Sequence, residues 1–219
     1  TVFQQNHNAI ITGHCKCNLL LQFGWKENME KKLSEEEKKA LLKIARDALT
    51  AAVENKPLPA INLASLPPAL SEPGASFVTL TKNGQLRGCI GVLEAYQPLA
   101  LDVQEHAVSA AMDDYRFPPV SRAELPLIEI EISRLTPPKK LDYNSPQDLL
   151  VKIRPGVDGV VLKDGFRRAT FLPQVWEKIE SPAEFLSHLC LKMGAPPDLW
   201  RKKKLEVFTY QVEEFKEEK

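Results

Sequence analysis

The chain has 219 residues, 43% of them hydrophobic, and its 29 Lys and Arg residues balance 29 Asp and Glu residues. This length suits one large domain or two small lobes with a sizeable core. A net charge of zero gives no global attraction to nucleic acid or anionic membranes, although a local basic patch is compatible with it. No apolar run approaches the ~18–20 residues that cross a bilayer, so we predict no membrane-spanning helix.

Residues 1–28 differ from the rest of the chain. Four potential zinc ligands lie there, namely His7, His14, Cys15 and Cys17. Cys-x-Cys is tighter than the usual spacing of structural zinc ligands and no second pair follows, so we predict no metal site. Because Met29 opens a run typical of a protein start, we expect 1–28 to be an appended or upstream-translated leader, peripheral to a domain over 29–219. A native extension packed on that domain is the alternative.

The cysteines indicate the compartment. They are Cys15, Cys17, Cys89 and Cys190. Their spacing forms no disulfide framework, which favours reduced thiols. The apolar stretch 19–21 is short and no basic segment precedes it, so it is not typical of a secretory signal. We therefore expect a cytoplasmic protein.

The first predicted helix begins at Ser34, which forms a capping box with Glu37. Its apolar face repeats at helical spacing and consists of Leu41, Ala45, Ala48, Leu49 and Ala52. Lys56-Pro57 ends this helix, and a proline-rich connector follows it.

Residues 77–91, with the sequence FVTLTKNGQLRGCIG, predict a β-hairpin. Two β-prone runs flank Asn83-Gly84, and a two-residue turn of this kind needs positive φ at both positions. In the register that such a turn sets, the opposed pairs are Lys82 with Gln85, Leu80 with Arg87, and Val78 with Cys89.

Arg87 and Cys89 are predicted to share one face of this hairpin, about 6–7 Å apart, because side chains alternate along a strand. Gly88 between them leaves the opposite face bare. Another backbone or a ligand could approach closely there. This arrangement makes the hairpin the first candidate for a functional site.

A second helix is predicted to begin at Pro98, with His106 beside its buried stripe. It ends at the segment 113–119, DDYRFPP, after which Ser121 and Glu124 repeat the capping-box pattern. Residues 127–135 then alternate as a strand. Its isoleucines point one way, and Glu129, Glu131 and Ser133 point the other way.

The second half of the chain repeats this mixture of elements. Short helices are predicted after Ser145 and Ser181, a second hairpin around Asp164-Gly165, and a last strand over 205–215. Strands and helices are interspersed with little βαβ rhythm. We therefore predict an α+β fold with a mainly antiparallel sheet flanked by helices.

The LRGCIG segment, residues 86–91, resembles the signature of the AMMECR family. The other matching segments, in the family's order, are AAMDDYRFPPV, IEIEISRLTPP, GVDGVVL, FLPQVWE and EFLSHLCLKMG, with Trp200 after them. The resemblance covers roughly residues 32–215. It implies an α+β fold with a larger and a smaller lobe around a cleft.

The resemblance implies little chemistry, because the family's biochemical activity is not established. Its prokaryotic members are often encoded beside Memo-like and radical-SAM-like proteins, which implies a shared pathway with such partners. The sequence has no HExxH, no Gly-x-Ser-x-Gly and no phosphate-binding glycine loop, so no cofactor is assigned.

Cys89 is the candidate nucleophile, provided that nearby positive charge lowers its thiol pKa. The alternative is a small core residue, because free cysteine is often buried. His106 is the candidate base. The alternative for it is a surface or capping histidine.

Arg87 needs an acidic partner or an anionic ligand, because an arginine on an internal hairpin cannot remain unpaired. Glu129 and Glu131 are candidate partners, as are Asp114 and Arg116 in the following loop. A structural ion-pair network and a ligand-binding cluster with Gly88 are both open. Glu129 and Glu131 as general acid and base is a weaker alternative, because charges alternating with isoleucine usually mark a solvated face.

Three functions are consistent with these residues. The first is a module that binds a protein or a small anionic ligand at the LRGCIG cleft, and we prefer it. The second is an enzyme with Cys89 as nucleophile or redox thiol. The third is nucleic-acid binding through residues 201–204, RKKK, and the edge formed by Lys163, Arg167 and Arg168.

Overall fold

The computed structural model describes Ile10–Ile11 and residues 32–218. Apart from those two isoleucines, the predicted leader and its four potential zinc ligands lie outside the described residues. Two compact units are present, one formed by the chain up to Leu135 with the segment from Glu213, and one formed by Thr136–Val212. In the described ranges, no helix is both long and apolar enough to cross a membrane.

Helices and antiparallel strands alternate along the chain, which confirms the predicted α+β fold. The helices are α1 (Glu35–Val53), α2 (Pro68–Ser71), α3 (Leu99–Met112), α4 (Pro146–Lys152), α5 (Pro182–Lys192) and α6 (Leu199–Lys202). The strands are β1 (Ile10–Ile11), β2 (Pro73–Lys82), β3 (Gln85–Gly91), β4 (Gln97–Pro98), β5 (Ile128–Leu135), β6 (Lys139–Lys140), β7 (Gly159–Asp164), β8 (Arg167–Phe171), β9 (Glu206–Tyr210) and β10 (Val212–Lys216). Short 3-10 turns cover Leu63–Ser65, Arg122–Leu127 and Pro173–Glu177.

The first unit is a sheet in the order β1-β3-β2-β5-β10, with β4 paired to β2. Strand β2 is antiparallel to both β3 and β5, whereas β1 is parallel to β3. Helices α1 and α3 cover one face of this sheet. The buried side chains on that face include Leu41, Leu49, Val78, Leu80, Val103, Ala107, Ile130 and Ile132.

Helix α1 begins where the sequence predicts. The Ser34 hydroxyl accepts the Glu37 N–H at 3.2 Å, and the Glu37 carboxylate accepts the Ser34 N–H at 2.8 Å. This reciprocal pair satisfies two of the amide groups that a helix start leaves unpaired. Four residues of the predicted apolar face of α1, Leu41, Ala45, Ala48 and Leu49, lie in the core, whereas the fifth, Ala52, is only partly buried.

The β2–β3 hairpin turns at Asn83 and Gly84, with φ values of 52° and 74°, as predicted. Lys82 also lies opposite Gln85 as predicted. Beyond the turn the predicted register is wrong, because the strand pairing shifts between Leu80 and Thr81. Arg87 is an extra residue there, the hallmark of a β-bulge.

The bulge determines which side chains face the helices. Leu80 lies opposite Gly88 rather than Arg87, and Thr79 rather than Val78 lies opposite Cys89. Gly88 therefore faces the helix side together with Leu80, and Cys89 faces the other side with Thr79. The predicted register, which put Arg87 and Cys89 on one face with Leu80 and Val78 and put Gly88 on the other, is wrong because it contains no bulge. A Cβ atom at Gly88 would lie 2.1 Å from the carbonyl oxygen of Ala110, so the close approach of α3 requires glycine.

The second unit is an antiparallel sheet in the order β6-β9-β7-β8, packed against short helices. The Trp176 ring stacks on Phe185 with centroids 3.7 Å apart, and its Nε1 donates to the Asp158 carbonyl at 2.8 Å. Cys190 lies in this core, as predicted. The predicted second hairpin is the β7–β8 pair, in which Asp164 lies opposite Arg167.

Replacing Gly88 by alanine should destabilise the protein by about 1–3 kcal/mol, because the added methyl group overlaps the α3 backbone. Urea unfolding followed by circular dichroism measures this difference. Gly156→Ala is the matched control: its Cβ meets nothing within 4 Å, but its φ of +74° is disfavoured, so we expect a cost of about 1 kcal/mol. A Gly88→Ala variant as stable as the wild type would contradict the close approach of α3.

Candidate functional site

Asp114 and Arg116 bind the outer edge of β3 at Cys89. The buried Asp114 carboxylate accepts the Cys89 backbone N–H through Oδ2 at 2.9 Å. Arg116 Nη2 donates to the Cys89 carbonyl oxygen at 3.1 Å. The two side chains thus satisfy the Cys89 peptide groups on the side of β3 that faces away from β2, next to Ile90 and Gly91, which pair with β1.

The same bonds explain the position of the Cys89 sulfur. Because the N–H and C=O groups of Cys89 point away from β2, Thr79 and Cys89 form a non-hydrogen-bonded antiparallel pair. Side chains come closer together in such pairs. The Thr79 hydroxyl accordingly donates to Cys89 Sγ at 3.2 Å.

Asp114 and Arg116 also hold each other. Arg116 donates to the Asp114 carboxylate from Nη2 at 2.6 Å, from Nε at 2.9 Å and from its backbone N–H at 3.2 Å. Burial alone would raise the pKa of Asp114, but the bonds from Arg116 and Cys89 outweigh it and leave that pKa below its ordinary value. The carboxylate is therefore charged at neutral pH and holds the start of the segment 113–119, here called the 113–119 loop.

Arg87 is paired with Glu124 and not with Glu129 or Glu131. Its guanidinium donates to Glu124 from Nε at 3.0 Å and from Nη2 at 3.2 Å. Lys82 Nζ donates to the same carboxylate at 2.9 Å, as does the Ser121 N–H. These hydrogen bonds hold the pKa of Glu124 far below its ordinary value. The bonds from Arg87 contribute most, followed by those from Ser121 and Lys82.

The Phe117 ring connects the two arginines. The Arg87 guanidinium lies 5.8 Å from the ring centroid and that of Arg116 lies 5.6 Å from it, which is cation–π distance. Tyr115 beside it is 82% exposed. Pro118 and Pro119 are exposed as well, as is Asp113, whereas Asp114 and Arg116 are bonded to β3.

Cys89 does not have the surroundings of an activated thiol. It is only 8% exposed. Burial raises its thiol pKa, although the Thr79 hydroxyl and the Arg116 charge act in the opposite direction. A nucleophilic cysteine needs a lowered pKa and access to solvent. Its role as nucleophile stays a prediction that this geometry does not favour.

His106 lies in a buried polar network on the helix side of the sheet. Its Nδ1 is 3.2 Å from Asp102 Oδ2, and the Ser76 hydroxyl donates to the same oxygen at 2.6 Å. Ser76 alternates with Val78 and Leu80 on the face that packs on α3, whereas Cys89 lies with Thr79 on the other face. The structure therefore separates His106 from Cys89 by the thickness of the sheet.

Glu129 and Glu131 lie on the same face of the sheet as Thr79. Glu131 is opposite Thr79, which in turn is opposite Cys89, so Cys89 and Glu131 are two strands apart, about 10 Å. Burial raises the pKa of Glu131, with Lys216 acting in the opposite direction. Lys216 Nζ is 3.6 Å from Glu129. Their role as an acid–base pair stays a prediction.

A cavity of about 460 Å³ lies elsewhere in the first unit. It is lined by α1 and the β5 and β10 strands, including Leu42, Arg46, Ile128 and Phe215. Of the predicted site residues, only Glu129 lines it. In the part of the chain that the structure describes, no cluster of three or more His, Cys, Asp or Glu residues could hold a metal ion.

Sequence reasoning missed three features of this site. Glu124 was found only as a local capping residue, whereas its main partner is Arg87, 37 residues earlier. Asp102 and His106 stand four residues apart, a spacing that places both on one helical face, and this signal could have revealed their pairing. The exposed Tyr115 has no sequence signal beyond its place in the loop.

Comparison with known proteins assigns the family. The family model described as AMMECR1 matches residues 42–215. This chain belongs to the AMMECR1 family. It is 46% identical over 155 residues to a protein of Methanococcus aeolicus, covering 69% of this chain and 78% of that protein. It is 40% identical over 200 residues to Protein MK0488 of Methanopyrus kandleri, covering 87% of this chain and 93% of that protein.

A solved structure has a similar fold. It is the crystal structure of Uncharacterized Protein PH0010 from Pyrococcus horikoshii, with a TM-score of 0.77 and 33% sequence identity. The match covers 85% of this chain and 94% of that one. The resemblance stated on sequence motifs is therefore confirmed, and the function has to be argued from the site.

Replacing Asp114 by asparagine should lower the free energy of unfolding by about 1.5–3 kcal/mol at pH 7, because charge-assisted bonds are lost. The pKa of Asp114 is lower in the folded protein than in the unfolded chain. Its contribution is therefore complete above the unfolded pKa of about 3.9 and disappears as pH falls through the folded value.

Urea unfolding of both proteins between pH 7 and acid measures this effect. The difference should be constant above about pH 5 and shrink below about pH 4. Asp47→Asn, which removes only the exposed partner of Lys43 on α1, is the control and should cost about 0.5 kcal/mol or less. Equal stability of Asp114→Asn and wild type at pH 7 would contradict the assigned role.

Cys89 should react with iodoacetamide at neutral pH more slowly than a free cysteine, because its thiol is buried and its pKa is raised. Peptide mass spectrometry after timed labelling measures the rate at each cysteine. Labelling in urea is the control, and it should abolish the protection. A native Cys89 that reacts as fast as the free amino acid would restore the nucleophile hypothesis.

Proposed function

We propose that this AMMECR1-family protein is a cytoplasmic binding module that recognises a protein partner through its 113–119 loop, without chemistry at Cys89. The observation that supports this proposal most is the orientation of the loop. Asp114 and Arg116 are bonded to β3 and to each other, whereas Asp113, Tyr115, Pro118 and Pro119 are exposed.

The loop is held rigidly before any partner arrives. Asp114 and Arg116 hold it to the Cys89 peptide groups, and the Phe117 N–H donates to the Asp114 carbonyl at 2.9 Å. At its end the Val120 N–H donates to the Ala111 carbonyl at 2.9 Å. A surface that is already ordered loses little conformational entropy on binding, which favours affinity.

The chemistry of the exposed side chains favours a protein over a small anion. Arg87 and Arg116 already bind carboxylates, and the Arg87 nitrogen that has no hydrogen-bond partner, Nη1, is buried, so neither residue presents a free guanidinium face at the surface. Tyr115, by contrast, offers a wide ring with a hydroxyl group at its end. Tyrosine and arginine are enriched among the residues that dominate protein–protein binding energies.

The family resemblance suggests which partners to test first. Memo-like and radical-SAM-like proteins are candidates, since prokaryotic family members are often encoded beside them. A cytoplasmic location is supported by the free thiols of Cys89 and Cys190, which are both buried and unbridged.

The enzyme alternative has less support. It needs a reactive thiolate at Cys89 and a base within reach, but burial raises the Cys89 pKa and His106 is bonded to Asp102 on the opposite face of the sheet. The Thr79 hydroxyl and the Arg116 charge favour a Cys89 thiolate, but burial outweighs both of them.

Replacing Tyr115 by alanine should weaken partner capture roughly tenfold or more, since truncation of a central interface tyrosine typically costs that much. The exposed ring makes no contribution to the core, so folding should be unchanged. The measurement is quantitative mass spectrometry of proteins captured from native lysate by each variant, followed by titration of the purified Memo-like and radical-SAM-like proteins.

Two matched variants complete this experiment. Cys89→Ser should capture the same partner as the wild type, and Phe166→Ala, which removes an exposed aromatic of the second unit, should do so as well. Arg87→Ala should weaken capture because Phe117 and Glu124 lose their contact, with circular dichroism to check its fold. Loss of capture in Cys89→Ser with retention in Tyr115→Ala would overturn the proposal.

A further inference from the structure

The tip of the β7–β8 hairpin presents a fully exposed aromatic ring. Asp164 lies opposite Arg167, so Gly165 and Phe166 are the two central turn residues, with a φ of +61° at the glycine. Glycine in the first central position is typical of one tight hairpin turn. Phe166 is 110% exposed, the highest value among the large hydrophobic side chains of the described residues.

Two basic segments meet beside this ring. Lys163 lies opposite both Arg168 on β8 and Glu206 on β9, which places residues 201–204, just before β9, next to the hairpin tip. Asp164 joins the segments directly, since its carboxylate accepts bonds from Arg167 and, at 2.6 Å, from Lys203. We call Lys163, Phe166, Arg167, Arg168 and residues 201–204 the hairpin patch.

The excess positive charge of the second unit is concentrated in this patch. Its seven cations are Lys163, Arg167, Arg168, Arg201, Lys202, Lys203 and Lys204, and the carboxylates beside them are Asp164, Asp198 and Glu206. Apart from these ten residues, Thr136–Val212 contains six Lys and Arg residues and six Asp and Glu residues, whose charges balance. A neutral chain therefore carries a local cationic surface, which attracts a polyanion.

The cations of the two strands lie on both faces of the hairpin. Lys163 and Arg168 are opposed across the hairpin and share one of its faces, whereas Arg167 and Asp164, with Lys203 bonded to it, belong to the other. A nucleotide stacked on Phe166 would have a phosphate on each side of its base along the strand.

We propose that the hairpin patch binds single-stranded nucleic acid, with a base stacked on Phe166 and the flanking phosphates on the surrounding lysines and arginines. A single strand is favoured over a duplex because only unpaired bases expose a face for stacking. It is favoured over an anionic bilayer because surface anchoring needs a broad apolar face, and the patch has one exposed ring.

Fluorescence anisotropy of the full chain with a labelled oligothymidylate of about 12 nucleotides tests this proposal. Binding should weaken as salt rises, by about 0.7 in log K per log salt for each phosphate neutralised. Phe166→Ala should weaken it roughly 5- to 100-fold, since base–aromatic stacking typically contributes that much. Phe166→Trp should retain binding, and Arg167→Ala with Arg168→Ala should flatten the salt dependence.

Tyr115→Ala is the matched control, because it removes another largely exposed aromatic, from the other unit, and should leave oligonucleotide binding unchanged. The experiment therefore distinguishes failure of nucleic-acid binding at the hairpin patch from failure of partner binding at the 113–119 loop. The inference is overturned if no binding occurs at low salt, or if duplex DNA binds as tightly and Phe166→Ala has no effect. It is also overturned if the protein binds anionic phosphatidylserine vesicles instead, with Phe166→Leu retaining that binding.

Discussion

The bulge at Arg87 is the constraint on which the candidate site depends. One extra residue in β3 reverses the side to which every later side chain of that strand points. It places Gly88 against the Ala110 carbonyl of α3, where no Cβ could fit, and it sends the Cys89 sulfur to the Thr79 side. It also leaves the Cys89 peptide groups available to the side chains of Asp114 and Arg116.

Once the bulge is set, the buried charges have to be neutralised locally. Arg87 meets Glu124, and Asp114 meets Arg116, because an unpaired charge in the interior costs several kcal/mol. These pairs explain why residues that look reactive in the sequence have structural partners in the fold. These pairs leave the outer side of the 113–119 loop, with the exposed Tyr115, available for recognition.

The two units thus present two different surfaces. In the first unit, Asp114 and Arg116 turn toward β3 and the Tyr115 ring faces outward, which suits a protein partner. In the second, Asp164 gathers Arg167 and Lys203 around the hairpin that carries Phe166, and the cations remain at the surface, which suits a polyanion. Both surfaces rest on a buried or half-buried carboxylate that orders the side chains around it.

The sequence by itself determined the local structure of this protein: the Ser34–Glu37 cap, the Asn83-Gly84 turn, the α+β class and the family, because each depends on neighbouring residues or on ordered motifs. Only the tertiary structure decided the bulge. A shift of one residue in strand pairing alters neither the amino-acid composition of β2 and β3 nor the residues of the turn between them, so the sequence gives no signal for it. It also decided the pairing of Arg87 with Glu124 and of Asp164 with Lys203, which are 37 and 39 residues apart in the chain. Such partners are chosen by the packing of strands and helices, and no local pattern encodes that choice.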